Sequence, residues 1–264
     1  MNLMGERELR TETVSSPDGT PIVYHHTGSG PTVLVVHGTL ATTEMYAPIS
    51  SLLATDHHVV LMERRGYRVS GDGARPGTFD MQAADIAAVL DTVDEPRYVF
   101  GHSAGGMATI HALASIADRV RAVALYEPPA TLAGPPLLPT LAKCREQVES
   151  GRNADAVVTF LTTVGGPDPA IEQIAPFLAR SAHGLIEDLE CMTSTSTEPG
   201  RWPTGDLPIL LMAGGNSDEY GRASVALLAR ELSAPDTIVL PGQGHSPDDP
   251  VPVAAALREF FAKH

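Results

Sequence analysis

The sequence predicts an α/β fold built on a mostly parallel central sheet with helices on both sides. Short runs rich in β-branched residues are apolar on both faces, as strands covered from two sides must be. Between them lie stretches with apolar residues at helical spacing, and this alternation is the pattern of a parallel sheet with right-handed crossovers. One long stretch, 128–203, breaks the alternation and reads as a helical insertion.

In chain order the strands are expected at 22–26, 32–36, 58–62, 97–101, 121–126, 208–213 and 237–240. Ile86, Val89, Leu90 and Val93 fall at i, i+3, i+4 and i+7, with Asp80 as the expected N-cap. Val225, Leu228, Ala229 and Leu232 repeat that spacing, and Val253, Ala256, Leu257, Phe260 and Phe261 form the last helical stripe. Within 128–203, helices are expected at 137–148, 154–164, 169–182 and 183–192, separated by breakers such as Gly165, Gly166 and Pro167. The insertion leaves the sheet after one strand and returns before the next. It should therefore lie over the C-terminal strand ends, where open α/β sheets bind ligands. The expected organisation is a core of 1–127 and 204–264 with a helical cap at 128–203.

Composition narrows the partners. At 264 residues, with 43% hydrophobic and 19% charged residues, the chain has enough apolar material for one pocketed core. Its formal net charge of -14 repels polyanions, which argues against nucleic acid. No apolar run reaches the length of a membrane span, and residues 1–12 lack the apolar core of a signal peptide, so the cytoplasm is the expected location and no membrane partner is expected. Cys144 and Cys191 suit free thiols better than a disulfide framework or a zinc site. A small-molecule substrate is the expected partner, with no cofactor and no metal; a homo-oligomer is compatible with the sequence.

The strongest chemical signal is Gly101-His102-Ser103-Ala104-Gly105-Gly106, a G-x-S-x-G turn between a strand and a helix. A serine on so sharp a turn needs small neighbours two residues away on either side, and Gly101 and Gly105 supply them. At the helix N-terminus the Ala104 amide points to where an oxyanion would form. The loop His37-Gly38-Thr39-Leu40 leaves the sheet beside this turn. Thr39 is the expected second oxyanion donor, Leu40 is the alternative, and His37 is expected to brace the loop.

A serine hydroxyl needs a base within hydrogen-bond reach. Of ten histidines, His245 lies in the loop Pro241-Gly242-Gln243-Gly244-His245-Ser246-Pro247 just past the last strand, at the same sheet edge as Ser103. The imidazole needs a carboxylate on its other nitrogen. Asp218, reached from the strand ending at Ala213 through Gly214-Gly215-Asn216-Ser217, is the expected partner, which gives the chain order Ser, Asp, His. Glu219 is the close rival, and capping the next helix is the alternative role of Asp218. Asp248 and Asp249 are expected to cap the final helix. Leu40, His102 and Glu127 are candidate substrate contacts. Glu127 ends a strand near the pocket, and its competing role is pairing with Arg64 or Arg65.

The ordered set of His37-Gly38, the Arg64-Arg65-Gly66 to Ser70-Gly71 loop, Gly101 to Gly106, Tyr126-Glu127-Pro128-Pro129, Asp218 and Gly244-His245 resembles the bacterial α/β-hydrolase fold family over essentially the whole chain. Tyr67 and Arg68 stand where relatives often have Arg-Gly, and Glu63 where Asp is common. The resemblance implies a cofactor-free acyl-enzyme mechanism under a cap. Serine at the elbow disfavours epoxide hydrolase and haloalkane dehalogenase chemistry, which uses aspartate there. Ester or lactone hydrolysis is the reading favoured. Carbon-carbon bond hydrolysis, haloperoxidase-like perhydrolysis and a non-hydrolytic binding or cyclase-like role are the alternatives.

Overall fold

The computed structural model describes residues 9–195, 202, 205–247 and 249–264. Residues 1–8, the expected boundary at 203 and 204, and Asp248 as a helix cap lie outside the described residues. In chain order the first half contains β1 (Arg10–Ser15), β2 (Pro21–Gly28), β3 (Thr32–Val36), α1 (Ala47–Leu53), β4 (His58–Met62), α2 (Phe79–Leu90), β5 (Arg97–His102), α3 (Ala104–Ile116) and β6 (Ala122–Tyr126). Then come α4 (Leu138–Glu149), α5 (Asn153–Gly165), α6 (Pro169–Leu178) and α7 (Ala182–Ser194), with no described strand among them. β7 (Ile209–Gly214), α8 (Glu219–Glu231), β8 (Asp236–Leu240) and α9 (Pro250–Phe261) complete the chain.

The eight strands form one sheet in the order β1-β2-β4-β3-β5-β6-β7-β8. β2 runs antiparallel to both β1 and β4, and every pair from β4 to β8 is parallel. Side chains alternate across the sheet, so each buried strand feeds two cores. Leu34, Val36, Val60 and Met62 pack with Ile86 and Val89 of α2 and Leu113 of α3 on one face. Val33, Val35, Val59 and Leu61 meet Ile49 and Leu53 of α1 and Val253 and Leu257 of α9 on the other. Burying each such side chain contributes about 1.5–3 kcal/mol, which is why these runs are apolar throughout.

Two local expectations are corrected. β1 was not among the expected strands: its sequence, Arg-Thr-Glu-Thr-Val-Ser, is mostly exposed and carries no apolar face, because an edge strand is held by its ladder to β2. The N-cap of α2 is Thr78, whose side chain accepts from the Met81 amide, and Asp80 sits inside the first turn.

The helices between β6 and β7 are tied to the sheet by a buried ionic group. Arg64, in the loop after β4, makes a bidentate pair with Asp188 of α7 at 2.5 and 2.8 Å, and the Tyr67 hydroxyl donates to the same carboxylate at 2.6 Å. Gln82 of α2 accepts from Arg64 at 2.9 Å. Arg65 is held by Asp85 and Asp18 instead.

Beside this group Glu187 is fully buried, with neither carboxylate oxygen hydrogen-bonded and the Arg75 guanidinium 3.9 Å away. Burial pushes its carboxyl up to about 7, against the partial opposition of Arg75 and Arg65. The folded protein thus keeps this proton to higher pH than the unfolded chain does. The contribution of this group to stability is greatest below about pH 4.5 and falls as pH rises toward about 7. Glu187→Gln should raise stability at pH 8 by up to about 3 kcal/mol and change it by less than about 1 kcal/mol at pH 4.5, as read by urea unfolding at the two pH values.

Candidate active site

The site begins with backbone geometry. Ser103 sits between β5 and α3 at φ 53 and ψ -125, a conformation a non-glycine residue adopts only when its surroundings impose it. A side chain at Gly105 would collide with the carbonyls of Val36 and His37, and one at Gly101 would come within 2.7 Å of the Thr109 hydroxyl. Gly38 approaches so closely that an added Cβ would lie 3.0 Å from that of Ser103. Among the described residues five non-glycine positions have positive φ: Leu40, Arg68, Ser103, Glu127 and Ala234. Three of them, Leu40, Ser103 and Glu127, line one cavity.

In that cavity the His245 Nε2 lies 3.0 Å from the Ser103 Oγ. Its Nδ1 lies 2.8 Å from the Glu127 Oε2. An ionised carboxylate only accepts, so the ring proton sits on Nδ1 and Nε2 is left to accept from the serine hydroxyl. The structure thus brings together Ser103 and His245, both expected from the sequence. It does not bring Asp218 to the imidazole: its carboxylate caps α8 and accepts the Gly221 amide at 2.8 Å. Glu219, the rival considered for the same place, is the first residue of that helix.

Glu127 occupies the position because β6 is hydrogen-bonded directly to β5, so a residue just past its end lies one strand from Ser103. Its backbone turns out of the sheet at φ 44, and its amide donates to the Met212 carbonyl. Burial raises its carboxyl, but hydrogen bonds from His245 and from the Gly214 amide, the latter at 2.7 Å, outweigh that and hold it below the ordinary carboxylate value. It is ionised at neutral pH. Neither Arg64 nor Arg65 reaches it, since their carboxylate partners are Asp188, Asp85 and Asp18. The signal available in the sequence was the placement of Glu127 immediately after a buried strand and before two prolines.

The loop around His245 is anchored from below. The His102 Nε2 meets the His245 carbonyl at 2.9 Å, and the Tyr126 hydroxyl donates to the Gly244 carbonyl at 2.7 Å. Because a carbonyl only accepts, the His102 proton is on Nε2, and its Nδ1 accepts from the Tyr46 hydroxyl at 2.5 Å. That hydroxyl in turn accepts the Gly38 amide at 3.0 Å. Burial, and then the neighbouring His245, lower His102 to about 3, so it is neutral. His102, expected as a substrate contact, has both nitrogens committed to positioning the site. Tyr46 and Tyr67 were not singled out as site residues, since a tyrosine in a loop carries no local pattern that reveals its partner.

The loop after β3 is similarly organised. His37 braces the loop: its Nε2 accepts the Arg64 amide at 3.1 Å, and burial lowers it to about 3. The Leu40 amide donates to the Tyr67 hydroxyl at 3.1 Å, which removes the alternative donor. Among the described residues the Thr39 and Ala104 amides have no hydrogen-bond acceptor, and both residues line the cavity. The cavity has a volume of about 730 Å³ and is bounded by apolar side chains such as Leu137, Phe160, Ile171 and Met192 from the segment between β6 and β7. Among the described residues no cluster of three or more His, Cys, Asp or Glu could hold a metal ion, and no helix is long and apolar enough to cross a membrane. Cys144 and Cys191 are free and buried.

Comparison with known proteins agrees with this architecture. The chain superposes on the structure of an alpha/beta hydrolase from Sphaerobacter thermophilus with a TM-score of 0.80 and 30% identity, covering 95% of this chain and all of that one. It has the fold of the enol-lactonase from Burkholderia xenovorans, with a TM-score of 0.76 at 19% identity over 95% of this chain and all of that one. In sequence it is 24% identical to the 2-(acetamidomethylene)succinate hydrolase of Mesorhizobium japonicum over 83% of this chain and 82% of that protein. Residues 33–256 match the alpha/beta hydrolase family, and the chain belongs to that family.

Proposed function

We propose that the protein is a serine hydrolase that cleaves a carboxylic ester or lactone of small to medium size through an acyl-enzyme. The observation that carries this reading is the continuous chain Ser103 Oγ, His245 imidazole and Glu127 carboxylate, at 3.0 and 2.8 Å, opening into an apolar cavity. In the first step His245 Nε2 takes the hydroxyl proton as Ser103 Oγ attacks the substrate carbonyl. The carbonyl oxygen becomes an oxyanion facing the Thr39 and Ala104 amides at the start of α3, where the helix dipole is also favourable. His245 then gives its proton to the departing alkoxide, and the acyl group stays on Ser103. A water molecule, deprotonated by His245, attacks the acyl-enzyme and releases the acid. Glu127 stays ionised and stabilises the imidazolium formed in each half-reaction. The helices between β6 and β7 act as the lid of the cavity.

The carbon-carbon and perhydrolase alternatives find no feature of their own in this cavity, whereas a lining of apolar side chains suits an ester's alkyl groups. The succinate in the name of the Mesorhizobium relative is a dicarboxylate, and among the described residues no lysine or arginine lines this cavity to receive one.

A fluorophosphonate probe should label the native protein at Ser103, and Ser103→Ala should abolish both labelling and turnover of p-nitrophenyl esters, with kcat lower by about 10⁴–10⁶. An unlabelled native protein would sink the serine mechanism. Glu127→Gln should lower kcat by about 10³–10⁴, because the amide no longer holds the imidazole proton on Nδ1 or stabilises the imidazolium. Asp218→Asn keeps the helix cap and should cost less than about tenfold. Steady-state kinetics of the two variants decide the assignment, and a larger loss at Asp218 than at Glu127 would reverse it.

A further inference from the structure

We infer that the cavity selects by charge: it takes esters whose acyl and alcohol parts are both uncharged and discriminates against substrates bearing a free carboxylate. This rests on the hydrolytic reading above and specifies its substrate class.

Every ionisable group on the cavity wall apart from the histidines and the tyrosines Tyr46 and Tyr220 is acidic: Glu127, Asp168, Asp188 and Asp218. Among the described residues no lysine or arginine lines it. The Arg64 guanidinium, whose partner Asp188 is on the wall, is 1% exposed and closed by that bidentate pair, so it offers a substrate no free donor pair. Arg180 is stacked on the Phe177 ring at 4.2 Å and is not part of the wall. Glu127 and Asp188 are compensated by His245 and Arg64, but Asp168 and Asp218 are exposed carboxylates held at the N-termini of α6 and α8.

Most of the remaining wall is apolar, out to the surface. Met45, Ile174 and Tyr220 line the cavity and are 53%, 46% and 57% exposed, so an alkyl chain leaving the interior continues along apolar side chains. A carboxylate on that path would lose water without gaining a cation, while facing two exposed carboxylates on a protein of net charge -14. A neutral chain of the same length loses nothing comparable.

The test compares three p-nitrophenyl esters on the native protein: hexanoate, the monoester of adipic acid, and the same adipate with its far carboxyl methylated. The hexanoate should be turned over with kcat/KM at least about 100-fold above the adipate monoester, and methylation should recover most of that difference. Ile174→Lys, which puts an ammonium at the half-exposed lip, should raise the monoester relative to the hexanoate by about five- to tenfold. Comparable rates for monoester and hexanoate overturn the charge selection and leave the serine mechanism standing. A methylated diester as slow as the monoester also overturns it, because bulk or polarity would then be the cause. If no ester is turned over and the fluorophosphonate leaves Ser103 unlabelled, the hydrolytic reading falls and this inference falls with it.

Discussion

The strained turn at Ser103 is the constraint from which the rest of the site follows. A side chain held at φ 53 is tolerated only if the strand before it and the helix after it are both fixed and nothing bulky intervenes. The fixing comes from β5, buried between β3 and β6, and from α3, whose first turn packs so closely on β3 that Gly105 has no room for a Cβ. The conformation costs on the order of 1–3 kcal/mol, which the buried core around it has to offset. In return the hydroxyl stands at the start of a helix, with the Ala104 amide free beside it.

Distance is the second constraint. Ser103 ends β5 and His245 follows β8, three strand spacings away, or about 14 Å at the usual separation of neighbouring strands. The loop after β8 must therefore lean back across β7 and β6. Two hydrogen bonds hold it there, from His102 at the end of β5 to the His245 carbonyl and from Tyr126 at the end of β6 to the Gly244 carbonyl. Once the imidazole has been drawn over β6, the carboxylate at the end of β6 is directly beneath it. The exchange of Asp218 for Glu127 is thus a consequence of where the loop is pinned.

Much of this was legible in the sequence because burial on two faces leaves a dense signal. The strands β3, β4, β5 and β6 are apolar along almost their whole length, and the elbow glycines are demanded by backbone contact. β1 was not legible, since an exposed edge strand has no apolar period to read. The acid was only half legible. Asp218 stands in the place that the Ser, Asp, His order leads one to expect, yet Asp at that position is equally a helix cap, and the local pattern is the same for both roles. What separates them is the pinning of the His245 loop by His102 and Tyr126, residues more than a hundred positions away. Such pairings leave no local trace.

The same argument extends to the helices between β6 and β7. Isolated, a pair as deeply buried as Arg64 and Asp188 offers little net stability, because the desolvation of two charges nearly cancels their attraction. Its geometry serves another end. Asp188 belongs to α7, Arg64 to the loop after β4, and Tyr67, which donates to Asp188, also receives the Leu40 amide beside the oxyanion donors. One carboxylate therefore registers the helices above the cavity against the loop that shapes its floor. An apolar contact could supply equal stability at that junction, but it would let α7 slide, whereas a bidentate pair with a third donor is satisfied in only one relative position. The wall of the cavity and the Thr39 amide are then set by the same group, so the space inside the cavity and the placement of that amide are not independent.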